Sequence, residues 1–280
     1  MSNIHQIYLI SDSTGETLDR IFLALKAQFN NFKYKTNHYS FTRTENQIIK
    51  ILEDCKKQHK SIILYTIVDD KLDKFLNKEA LKNKIPCFGV LGDLINSFSR
   101  LLNQNALNVP SRQHILNDEY YKKIDAIQFT MNHDDGNAIN DIEKSDIILI
   151  GVSRTSKTPT SIYLANKGYK VSNIPIVNKN SIPENIKKNK LKKCIIGLIA
   201  EPQRLAEIRK NRMSSLKETR NQKYTNLQKI QDEVNNSKNT FQKFKWPTID
   251  VSRKSVEETA ASVIKIYEIS RKNAWYYFSL

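Results

Sequence analysis

Short runs of β-branched and aliphatic residues alternate along the chain with stretches in which apolar positions recur every three or four residues. That alternation predicts an α/β protein, with strands of a mostly parallel sheet joined by crossover helices. Ile7–Ile10 is the first predicted strand, and the polar loop SDSTGE (11–16) follows it. Leu18, Ile21, Phe22, Leu25 and Phe29 then share one helical face. A helical stretch near 45–58 leads into a strand over Ile62–Val68, which ends at Asp69 and Asp70, and a further strand is predicted at Cys87–Leu91. From there to about 145 the pattern is helical or irregular and rich in Asn.

The pattern sharpens at Asp146–Gly151, where DIILIG is a continuous apolar run suited to a strand buried on both faces. Strands are predicted again at Val171–Ile176 and Cys194–Ala200. Pro202 opens a helix, because proline fits a first turn, and a polar helix continues towards residue 240 with few apolar anchors, as an exposed or lid-like element would. Near the end, Ser255 to Glu258 forms a capping box, and Val256, Ala260, Val263, Ile264 and Tyr267 line one face of the helix it starts. No repeat and no disordered linker interrupts the chain, so a domain boundary is inferred only from the restart of the strand pattern near 140–145.

Composition narrows the class. The longest apolar runs, such as SIILYTIV (61–68) and CIIGLIA (194–200), fall well short of the ~20 residues a membrane helix needs. The start, MSNIHQIY, has no basic segment ahead of an apolar one, so neither a membrane span nor a secretory leader is expected. Three scattered cysteines, Cys55, Cys87 and Cys194, match neither a disulfide framework nor a zinc site and point to a reducing, cytoplasmic setting. A net charge of +16 suggests nucleic acid as partner. Yet 34 of the 45 basic residues are Lys, in a chain equally rich in Asn and Ile, so the excess reads as a compositional bias spread over a solvated surface. The basic stretches KKNKLKK (187–193) and RLAEIRKNR (204–212) also lack the interleaved aromatics of a single-strand stacking platform.

The strongest chemical signal is GVSRTSKT, residues Gly151, Val152, Ser153, Arg154, Thr155, Ser156, Lys157 and Thr158, placed between the buried strand and a helical stretch. A phosphate loop of the G-x-x-x-x-G-K-[ST] type wraps phosphates in backbone N–H groups, reaches their outer oxygens with Lys and holds Mg²⁺ on the hydroxyl. Gly151, Lys157 and Thr158 keep that spacing, with Thr158 as the metal-binding hydroxyl, while Ser156 stands where the second glycine belongs. An anion there would sit at a helix N-terminus; the plain alternative is a βα turn with a surface lysine. His133-Asp134-Asp135-Gly136 offers an imidazole and two carboxylates for metal binding or for positioning an acceptor hydroxyl, although the same residues are ordinary turn chemistry. Asp69 and Asp70 are equal candidates. Arg204, Arg209 and Arg212 span an arc of roughly 140° on a helix, which suits either contacts to phosphate or a solvated basic face. The SDSTGET loop caps its helix or holds an anion or a phosphorylated side chain.

Taken together, SDSTGET, HDDG, GVSRTSKTPTSIYLANKGYKVSNIPIV, RLAEIRKNR and IDVSRKSVEETA resemble the pyruvate, phosphate dikinase regulatory protein family over nearly the full length. With the boundary set by the restart of the strand pattern, the chain is expected to hold an N-terminal α/β domain over 1–143 and a P-loop kinase-like α/β domain with a mostly parallel sheet over 144–280. The resemblance implies a bifunctional enzyme that transfers the β-phosphoryl group of ADP to an active-site threonine of the dikinase. The same enzyme would remove that group with inorganic phosphate, releasing pyrophosphate. Residues 151–158 carry over as the ADP site, Mg²⁺ is the expected metal, and Lys157 with the HDDG side chains is the expected catalytic set. Ser before the lysine resembles the dikinase branch more than the branch that regulates phosphoenolpyruvate synthase. A small-molecule P-loop kinase stays open as a reading of the loop, and a homo-oligomer is left open as well.

Overall fold

The computed structural model describes residues 4–114, 116–137, 139–176, 181–187, 193–216 and 222–278. The chain divides into two compact units, residues 1–115 and 116–280. The first holds β1 (His5–Ser11), α1 (Glu16–Lys26), β2 (Tyr34–Tyr39), α2 (Glu45–Lys57), β3 (Ser61–Thr66), α3 (Asp70–Lys82), β4 (Cys87–Gly89) and α4 (Gly92–Leu102). The second holds α5 (Asp118–Asn132), β5 (Ile147–Gly151), α6 (Lys157–Ala165), β6 (Val171–Pro175), α7 (Glu184–Lys187), β7 (Cys194–Ile199), α8 (Pro202–Leu216), α9 (Gln222–Thr225), α10 (Leu227–Lys243), β8 (Thr248–Asp250) and α11 (Val256–Phe278). The strand pattern alone placed the division at 143/144. The second unit begins earlier because α5 packs on α6 and β6.

Both sheets are four-stranded and all parallel, and they have the same order: β2-β1-β3-β4 and β6-β5-β7-β8. In each, the chain steps from the first strand to one side and returns on the other, which puts a switch point at the C-terminal ends of β1 and β3, and another at those of β5 and β7. Open α/β sheets bind ligands at such switch points.

Each sheet is covered on both faces, which explains strands without polar alternation. In the first unit Ile7 and Leu9 meet Leu18 and Phe22 of α1, while Tyr8 and Ile10 meet Ile48, Ile51 and Leu52 of α2 and Leu76 of α3. In the second, Ile147 and Leu149 pack with Leu164, Leu205, Ile230, Ala260 and Val263, and Ile148 and Ile150 turn the other way towards Ile142, Ile186, Phe241 and Trp246. The capping box forms as the sequence predicts, with Glu258 N–H on Ser255 Oγ at 3.1 Å and Ser255 N–H on Glu258 Oε2 at 2.8 Å.

Three features differ from the sequence reading. The polar stretch after Pro202 is not one exposed helix: α10 buries Ile230, Val234 and Phe241, whose spacing of four and seven makes a narrow stripe amid Lys, Gln and Asn. The strands β2 and β8 were not expected. Both lie at a sheet edge, where YKTNHY and the three-residue TID need only one partner and carry a weak hydrophobic signal. No helix among the described residues is long and apolar enough to cross a membrane.

Candidate phosphate-binding site

The strand β5 delivers the chain to the switch point at Gly151, whose register partner is Leu198. A Cβ on Gly151 would lie 2.6 Å from the Leu198 carbonyl oxygen and 2.7 Å from Thr155 Oγ1, so no other residue fits there. The loop then turns through two left-handed residues, Arg154 at φ 74° and Ser156 at φ 56°. Such turns aim successive N–H groups into one concavity that suits an anion. Ser156 occupies the N-cap of α6 without a side-chain cap, so no hydroxyl or carboxylate closes the first turn against a ligand. The residue standing in for glycine thus adopts the backbone shape glycine would take, at a cost of roughly 1 kcal/mol for an L-residue.

Lys157 is only 5% exposed and donates from Nζ to the Val152 carbonyl at 2.9 Å; Thr155 Oγ1 donates to the same oxygen at 2.9 Å. Burial pushes the Lys157 ammonium down to about 8. Asp135 and then Asp134 pull it the other way, and Arg154 and Arg209 add to the depression.

The HDDG turn comes to the loop from the end of α5. Thr158 Oγ1 donates to the Asp134 carboxylate at 3.0 and 3.2 Å, and Asn173 of β6 donates from Nδ2 to Asp134 and, at 3.1 Å, to Thr158 Oγ1. The Asn173 N–H also donates to the His133 carbonyl at 3.0 Å, which fixes the turn against β6. Asp135 is exposed and left-handed at φ 50°. His133 is buried and stacked on Phe129 at 3.8 Å; because a carbonyl only accepts, its Nδ1 carries the hydrogen given to Phe129 O at 2.8 Å. Its ring therefore supports the turn from inside. Among the described residues no group of three or more His, Cys, Asp or Glu could hold a metal. Mg²⁺ bound through phosphates needs only one or two protein oxygens, and the adjoining Thr158 hydroxyl and Asp134 carboxylate fit it.

The three candidate arginines do not converge. Arg204 is exposed and pairs with Glu207 at 3.3 Å, and Arg212 is exposed too. Arg209 is 1% exposed. It donates to the Ser153 carbonyl at 3.3 Å, the Tyr224 carbonyl at 3.2 Å and Glu233 Oε2 at 2.7 Å, with its guanidinium 4.6 Å from the Tyr224 ring centre. Tyr224 in turn meets Ser153 Oγ at 2.9 Å and accepts from Arg154 Nε at 3.3 Å. Arg209 thus holds the back of the loop through α8, α9 and α10. Asp69 caps α3 by accepting from Leu72 N–H at 2.9 Å, and Asp70 pairs with Lys74. The sequence reading did not single out Asn173, Tyr224 or Glu233. A polar side chain inside the apolar strand VSNIP was the available signal for Asn173; Tyr224 and Glu233 carried none.

A strand, a left-handed loop with a buried lysine, and a helix thus meet at the switch point of a parallel sheet, where α/β proteins bind their ligands. Residues 7–264 match the kinase/pyrophosphorylase family. A protein of Pelagibacter ubique is 66% identical over 273 residues, covering 98% of this chain and all of the relative, and one of Brucella anthropi is 42% identical over 261 residues, covering 93% and 94%. A Bradyrhizobium protein is 38% identical over 266 residues, 95% of each. All three bear the name pyruvate, phosphate dikinase regulatory protein. The chain belongs to the kinase/pyrophosphorylase family and is a kinase-type enzyme.

Proposed function

We propose that this enzyme regulates pyruvate, phosphate dikinase, the enzyme that the names of its relatives give as the one they regulate, and that it does so by reversible phosphorylation of a threonine. In the forward direction the bond between the bridging oxygen and the β-phosphorus of ADP breaks, a bond from the threonine oxygen to that phosphorus forms, and AMP leaves. In the reverse direction inorganic phosphate attacks the phosphothreonine, freeing the hydroxyl and yielding pyrophosphate. ADP and pyrophosphate share a diphosphate group, so one cradle serves both directions.

The observation that carries this reading is the buried Lys157 in its loop, with Thr158 and Asp134 beside it. The loop N–H groups and Lys157 would bind the diphosphate and stabilise charge on the transferring group. Thr158 and Asp134 would hold Mg²⁺, which supplies charge neutralisation on the phosphates when bound. The exposed carboxylate of Asp135 would orient the acceptor hydroxyl and take its proton. The free cysteines suit a cytosolic enzyme.

Incubating the chain with β-labelled ADP and equal amounts of the dikinase and phosphoenolpyruvate synthase tests the proposal. Label on a dikinase threonine, released as pyrophosphate when phosphate is added, is expected. Predominant label on the synthase would reassign the target, and label on neither protein would overturn the protein-kinase reading.

A further inference from the structure

The first sheet has the same strand order as the second, so SDSTGET stands where the phosphate loop stands: after the first strand, before the first helix. A cleft of about 220 Å³ opens there, beyond the paired ends Ser11 of β1 and Thr66 of β3. Its polar wall is rich in donors. Arg43 donates to Ser111 Oγ at 3.0 Å, and Ser111 donates to Ser13 Oγ at 3.0 Å. Ser13 is 6% exposed, and its own hydroxyl hydrogen meets no acceptor among the described residues. Arg112 also lines the cleft and has no ion pair or hydrogen bond among those residues. Gly15, at φ 90°, opens α1 with no side-chain cap, so the chain comes close to the cleft without a Cβ in the way.

Donors that line a cleft suit an acceptor-rich ligand, and a phosphate group has three free oxygens to meet them. Asp12, the one carboxylate on the wall among the described residues, already accepts from Val68 N–H at 2.7 Å. Burial also pushes the Asp12 carboxyl up, so protonating it when an anion arrives costs less than for an exposed carboxylate. The acidic residue of the first helical turn, Glu16, is paired with Arg20 at 2.9 Å.

We propose that this cleft is a second phosphate-binding site, which takes a single phosphate group through Ser13, Ser111 and Arg112. The phosphate could be free inorganic phosphate or the phosphate of a phosphorylated side chain, since both present the same oxygens. The inference does not rest on the nucleotide reading of the second unit.

Full-length chain carrying Lys157→Ala, which disables the other loop, is titrated with inorganic phosphate, with a phosphothreonine peptide and with the unphosphorylated peptide. One or both phosphate-bearing ligands should bind and the unphosphorylated peptide should not. Arg112→Ala, a change at an exposed side chain, should weaken binding roughly tenfold or more, as loss of a charged hydrogen bond does, with Arg112→Lys recovering part of it. Binding by inorganic phosphate assigns a free-phosphate site, and binding by the peptide alone assigns a phosphorylated side chain. No binding of either, or binding that Arg112→Ala and Ser13→Ala leave unchanged, overturns the site. Loss of ADP turnover in Lys157→Ala with phosphate still bound keeps the two readings apart.

Discussion

Lys157 sits in a position that folding alone disfavours. Burial has displaced its proton affinity from 10.5 to about 8, a destabilisation of roughly 3 kcal/mol at neutral pH. The unfolded chain holds more protons than the folded one between those two values, so the ligand-free stability should rise with pH from about 8 to about 10.5. Lys157→Met keeps the stem and removes the charge. Its melting temperature near neutral pH should therefore exceed that of the wild type, and denaturant titration measures the gain directly; a loss of stability would show that the ammonium is well satisfied by Val152. An arriving diphosphate reverses the balance, because a nearby anion favours the charged form. Calorimetry at about pH 9 in buffers of different ionisation enthalpy should detect proton uptake on ADP binding, and none in Lys157→Met. In turnover, removing this contact should cost roughly 10²–10³-fold in rate, so Lys157→Ala should be folded and nearly inactive in both directions.

At the level of elements, the loop is only as firm as the helices behind it. Arg209 ties α8 to the Ser153 and Tyr224 carbonyls and to Glu233 of α10. One ammonium cannot replace a planar fork with several directed donors, so Arg209→Lys should behave almost like Arg209→Ala. Both should lose about 2–4 kcal/mol of stability in denaturant titrations and show a raised KM for the nucleotide. Wild-type stability in Arg209→Lys would mean that a single charge suffices. The arginine arc was legible in the sequence, but its meaning was not: spacing places three side chains on one side of a helix and cannot tell which of them meets another helix. Strands with continuous apolar runs, such as Ile147–Gly151, were readable because burial on both faces removes every polar position. The edge strands β2 and β8 were not, since half of each faces no sheet partner. The strand, loop and helix around residues 151–158 were readable from their order in the sequence, since Ser156 breaks the spacing pattern itself, whereas Asn173, which holds Asp134 on Thr158, depends on a pairing between β5 and β6 that no local pattern encodes.

Across the whole molecule, two sheets of one topology carry two strand-to-helix loops, and their charges differ. Arg154 and Lys157 lie within GVSRTSKT, whereas Asp12 and Glu16 lie within SDSTGET, where Arg43 and Arg112 come from elsewhere in the first unit. A diphosphate carries more negative charge than a monophosphate, so it should select the second unit's loop and leave the first unit's cleft to a single phosphate. Hydrogen exchange can read this choice amide by amide, because a ligand slows local opening where it binds. ADP should protect the N–H groups of residues 152–158, most strongly in the left-handed stretch from Arg154 to Ser156, and should leave residues 13–18 unchanged. A saturating monophosphate ligand should protect residues 13–18 in wild type and equally in Lys157→Ala, which should have lost the ADP footprint. Protection of residues 13–18 by ADP in the Lys157→Ala chain would move the nucleotide to the first unit and overturn the assignment built on charge.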